Sequence, residues 1–132
     1  MLNFLSKYKD EGLLLLRLGI GFMFILHGYP KIMGGPEKWM GLGKAMSFVG
    51  ITFWPTFWGF MAAFSEFIGG LLFGVGLLFR PACILLIITM VVAALYHMGK
   101  GDGFIVASHA IESAIVFFSM LIIGPGKYAL KK

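Results

Sequence analysis

A chain of 132 residues is too short for two ordinary domains, and one with 59% hydrophobic and 13% charged residues is too apolar to cover a water-soluble surface. Its mean hydropathy of +0.91 makes a lipid bilayer its natural solvent. The formal net charge of +5 comes mostly from Lys at the ends and loops, which suits contact with anionic headgroups and gives no reason to infer a nucleic-acid partner; the lone Cys83 excludes an intrachain disulfide.

With about 20 mostly apolar residues taken as one crossing, helices are predicted near residues 12–29, 56–78, 81–98 and 104–124. Lys7 and Lys9 precede the first apolar stretch as in a signal peptide, but no small-x-small cleavage site follows Ile25-Leu26-His27-Gly28-Tyr29, so it reads as a retained helix. On it Arg17, Gly21, Phe24, Gly28 and Lys31 recur at alternating steps of four and three, which marks the inward face, with His27 beside it.

The long connection that follows is broken at Gly34-Gly35-Pro36. A short interfacial helix is expected from Glu37, with Trp39, Leu42, Met46 and Val49 on one face. Trp54, Phe57 and Trp58 mark the headgroup level where the second spanning helix enters. Within that helix Ala62, Glu66, Gly70 and Gly74 form a stripe of small residues that permits close contact and turns Glu66 into a helix interface; Gly70 is expected to tolerate added volume less well than Gly76.

Arg80-Pro81 is expected to turn the chain between the second and third spans, and Gly99-Lys100-Gly101-Asp102-Gly103 between the third and fourth. Connections so short make neighbouring helices antiparallel, so the fold class is all-α, an integral membrane four-helix bundle. Lys7, Lys9, Arg80, Lys127, Lys131 and Lys132 fall on one side, against Lys31, Lys38, Lys44 and Lys100 on the other, which weakly favours both termini in the cytoplasm. The expected location is a bacterial cytoplasmic (inner) membrane.

Ionisable groups inside spanning helices are costly and normally face protein or a wet cavity. At about 1.5 Å per residue, His27 and His97 lie near the ends of their helices away from the termini. His109 and Glu112 lie roughly 8–12 Å in from that side and Glu66 about 15 Å in. His27, Glu66, His97, His109 and Glu112 therefore share the outer half of the bundle, and one cavity is expected to receive Glu66, His109 and Glu112. The plainer readings are that His97 caps its helix, that Arg17 and Arg80 snorkel to headgroups, and that Glu66 is a hydrogen-bonded structural acid. No metal is assigned: a di-iron carboxylate site needs two Glu-x-x-His motifs and two further Glu, whereas His109-Ala110-Ile111-Glu112 supplies one reversed motif and Glu66 a single extra acid.

The arginine in Leu16-Arg17-Leu18-Gly19, the helix end His27-Gly28-Tyr29-Pro30-Lys31, the stretch Ser65-Glu66-Phe67-Ile68-Gly69-Gly70, and Gly76 with Phe79-Arg80-Pro81 together resemble the DoxX/DoxD-type small membrane proteins, from about residue 12 to 124. The resemblance implies a four-helix membrane protein whose relatives include small subunits of a quinone-reducing thiosulfate dehydrogenase and partners of thiol and oxidative-stress proteins. It carries over to Arg17, His27, Lys31, Glu66 and Arg80. The lone Cys83 argues against a dithiol mechanism. The leading expectation is a redox-associated subunit binding a quinone or similar amphipath, with a partner redox protein or a second copy of itself. Its rivals are a permeation module acting as an oligomer and a structural adaptor without chemistry.

Overall fold

The computed structural model describes residues 1–131; Lys132, counted above for orientation, lies outside the described residues. The elements in chain order are a short 3-10 turn (Asn3–Tyr8), α1 (Lys9–Ile32), α2 (Pro36–Gly43), a second 3-10 turn (Lys44–Val49), α3 (Pro55–Val75), α4 (Phe79–Gly99) and α5 (Phe104–Ile123). No strand occurs among the described residues. The helices α1, α3, α4 and α5 are each long and apolar enough to cross a membrane. Both termini and the α3–α4 turn share one end of the bundle, the terminal face, and the other connections form the loop face.

The first spanning helix runs past both expected ends and includes Pro30. The expected turn at Arg80-Pro81 lies instead at Gly76–Leu78, and Pro81 sits in the first turn of α4. The physical reason is that a proline costs nothing in a helix's first turn, where its missing N–H has no intrahelical acceptor. Gly76, at φ +77°, ends α3 in the left-handed conformation. Added volume at Gly76 would be strained by that φ and would press on Ala129, so the expected contrast with Gly70 does not hold.

Glycine decides how α1 meets α3. A Cβ on Gly21 would come within 2.6 Å of the Gly70 carbonyl oxygen, and one on Gly28 within 2.5 Å of the Phe67 backbone nitrogen. The two backbones are in contact, and close approach of this kind is what small residues contribute where lipid supplies no hydrophobic drive between helices. Between α1 and α5 side chains span the gap: Phe24 meets Phe117 edge-to-face at 4.9 Å, and Phe117 meets Phe73 at 5.1 Å. Around these rings Phe79, Cys83, Leu86, Met90, Ala110 and Met120 complete the core.

Arg17 does not reach for headgroups. It is 1% exposed, and its guanidinium donates to the carbonyls of Pro125 (2.9 Å), Gly74 (3.0 Å) and Tyr128 (3.2 Å). It thereby ties the segment after α5 across the terminal ends of α1 and α3. Leu130 and Lys131 extend that tie by donating their N–H groups to Val75 and Gly76, and the Tyr128 hydroxyl donates to Glu11 at 2.7 Å. Arg80 stays exposed, but its Nε donates to the Leu121 carbonyl at 3.0 Å, placing a cation at the C-terminal end of α5.

Candidate functional site

At the loop face the segment between α1 and α3 lies over the bundle. Pro36 at the first position and Gly35 before it start α2 sharply, and Gly43 and Gly59 let α2 rest on α3 backbone to backbone. The Trp39 indole then donates to the Lys31 carbonyl at 3.0 Å, so α2 is fastened to the end of α1. The expected helix from Glu37 is thus present but short, and Val49, assigned to its apolar face, is exposed.

Beneath this cover, between α3 and α4, lies a cavity of about 450 Å³. That volume falls within the roughly 300–1,000 Å³ of ordinary small-molecule pockets. Its walls are mostly apolar, from Leu42, Met46, Met61, Ile88 and Val92, with Lys31, Trp58, Ser65, Glu66, Thr89, Tyr96 and His97 as the polar elements. Four-residue spacing puts Trp58, Ala62 and Glu66 on one face of α3, and seven-residue spacing puts Thr89 and Tyr96 on one face of α4.

Three arrangements give the pocket its chemistry. Lys31 at the end of α1 donates to both oxygens of Glu66, at 2.9 and 3.0 Å; the Glu66 side chain is 6% exposed and Lys31 32%. The buried carboxylate is therefore paired, as a buried charge must be. His97 Nδ1 lies 2.8 Å from Asp102 Oδ2 in the α4–α5 loop. The hydrogen bond from His97, and then Lys100, hold the Asp102 carboxyl below its ordinary value, so the carboxylate accepts and His97 Nδ1 donates. Lastly, Trp58 Nε1 is shut off from solvent and has no hydrogen-bond partner among the described residues. Trp58 lines the pocket, but its Nε1 exposes no surface to it, so an acceptor bound there meets this orphaned N–H only when the indole turns.

The other predicted residues lie elsewhere. His27 and His109 are exposed and face each other across the α1–α5 seam, ring centroids 5.9 Å apart. Glu112 is exposed on α5. Neither His109 nor Glu112 lines the cavity with Glu66, so the expected single cavity divides into a pocket between α3 and α4 and a separate polar surface on α5. Trp58, Ser65, Thr89, Tyr96 and Asp102 were not singled out as site residues from sequence, although the stripe through Ala62 and Glu66 reaches Trp58 when continued by four residues. Among the described residues no three His, Cys, Asp or Glu side chains converge as a metal site.

The DoxX family model matches residues 12–99, from the first turn of α1 to the end of α4. A protein of Haemophilus influenzae that carries the name "Uncharacterized protein" is 30% identical over 122 residues, covering 88% of this chain and 82% of that relative. No solved structure matches the chain. The matched region holds the residues that line the pocket, from Lys31 through Glu66 to His97, and on that match the chain belongs to the DoxX family.

Proposed function

We propose that the α3–α4 pocket binds a quinone or a similar small carbonyl-bearing amphipath, and that the protein serves as a redox-associated membrane subunit working with a partner redox protein. The observation that carries this reading is the partnerless N–H of Trp58, a residue of the mostly apolar pocket wall. With the indole turned toward the cavity, a neutral ligand with a carbonyl oxygen would satisfy it, and its apolar body would lie against Met61, Ile88 and Val92. A charged ligand is disfavoured because both ionic elements of the pocket are already paired, Lys31 with Glu66 and His97 with Asp102.

A quinone supplies reversible two-electron, two-proton chemistry when bound. The chain's own part is to hold the ring through Trp58, to exclude water beneath α2, and to offer a proton route to the loop face. His97 lines the pocket and its Nδ1 donates to Asp102, which stands in the exposed loop beside Lys100, so a proton taken up at Nε2 can be balanced by one passed from Nδ1 to that carboxylate. With both termini in the cytoplasm, that route leads to the opposite side of the membrane.

The test is equilibrium binding of a short-tailed benzoquinone to the protein in lipid nanodiscs. Trp58→Phe keeps the aromatic wall and removes one hydrogen bond, about 1 kcal/mol, so Kd should rise roughly fivefold. An unchanged Kd with an intact fold would remove the indole from the site, and absence of binding by the wild-type chain would favour the adaptor reading.

A further inference from the structure

The surface of α5 that faces away from the bundle carries a group the pocket does not use. Helix α5 buries Ala107, Ala110, Phe117 and Met120. At 100° per residue Glu112 projects nearly opposite the centre of that face. It is the ninth residue of a 20-residue spanning helix, so its carboxyl emerges close to the middle of the apolar span. It is exposed and makes no hydrogen bond or ion pair to any described residue. Ser108 one turn before it and Ser119 two turns after it lie on the same outward stripe, flanked by His109 and, across the seam, His27.

A carboxyl pointing from mid-helix into hydrocarbon is among the least favourable placements a membrane helix can make, and such groups normally meet another polar group. We infer that the Ser108–Glu112–Ser119 stripe is a helix–helix interface with a second copy of this chain. The stripe is self-complementary: it holds an acceptor in Glu112 and donors in the His109 ring and the serine hydroxyls. An isologous two-fold contact requires one patch to satisfy itself in this way. Two copies inserted in the same direction are related by an axis along the membrane normal, which preserves depth. Glu112 then stands level with its counterpart, one turn from the partner's Ser108 and the partner's His109, within side-chain reach. Serine, being small, also lets the two α5 backbones come close.

The full-length chain in native-like membranes, on a Cys83→Ser background, tests this by oxidative cross-linking of single cysteines. Ser119→Cys should give a disulfide-linked dimer, whereas Leu15→Cys, which is as freely exposed on α1, should not. In liposomes, a donor–acceptor fluorescence titration should show at least a tenfold weaker self-association for Glu112→Leu than for the Cys83→Ser parent, with thermal stability of the dispersed chain unchanged or raised. Equal cross-linking at both positions, a parent that stays monomeric at every protein-to-lipid ratio, or Ser119→Cys linked only to a different protein would each overturn the inference. Quinone binding is read separately, so failure here leaves the pocket assignment standing.

Discussion

Gly28→Leu should cost about 3 kcal/mol or more, the upper end for overpacking a close-packed site, because its Cβ would stand 2.5 Å from the Phe67 nitrogen and 2.9 Å from its Cα. Those atoms are backbone on a spanning helix and cannot rotate aside, so α1 and α3 must separate. Separation would also pull Lys31, three residues along, from Glu66. Gly19→Leu, with nothing within 4 Å of the added carbon, should be tolerated. Thermal unfolding in detergent, followed by loss of the monodisperse peak on size exclusion, distinguishes the two. Comparable losses at both positions would mean that α1 meets α3 on a different face.

The second large effect belongs to the Lys31–Glu66 pair. Removing one partner of a buried pair commonly costs about 3–5 kcal/mol, because the other charge is stranded; Lys31 keeps about a third of its surface, so Glu66→Leu should cost roughly 2–3 kcal/mol. Adding Lys31→Met should recover most of it, since an apolar pair of similar volume strands nothing. Glu66→Gln is expected to be destabilising too, because a neutral amide leaves the Lys31 cation without its counter-charge. A double variant no more stable than Glu66→Leu would show that Glu66 is held by something besides Lys31.

The four spanning helices were legible because length and hydropathy alone set them, and the inward stripe of α1 was legible because Arg17, Gly21, Phe24 and Gly28 keep a strict period. The turn before α4 was misplaced because Arg80-Pro81 has the composition of a turn, yet a proline is equally at home in a helix's first turn, and Gly76 had already supplied the stop. The candidate site divided because rise per residue fixes depth but not direction. Glu66 turns toward Lys31 in the pocket while Glu112 turns outward. Azimuth depends on which helices neighbour α5, and the 3.6-residue period is weak there because Ile, Val and Phe surround the whole helix. Trp58 went unnoticed for a related reason. A tryptophan at a helix start reads as a headgroup anchor, and only the α2 segment folded over α3 encloses its indole N–H.

The most direct test of the pocket assignment is photolabelling of the full-length protein in lipid nanodiscs with an azido-benzoquinone, followed by peptide mapping. Adducts should fall on α3 and α4 around Met61, Thr89 and Tyr96, should be suppressed by excess unlabelled quinone, and should decline in Trp58→Phe. Labelling spread evenly over the lipid-facing surfaces, or concentrated near His109 and Glu112 and not competed by unlabelled quinone, would contradict a quinone site between α3 and α4.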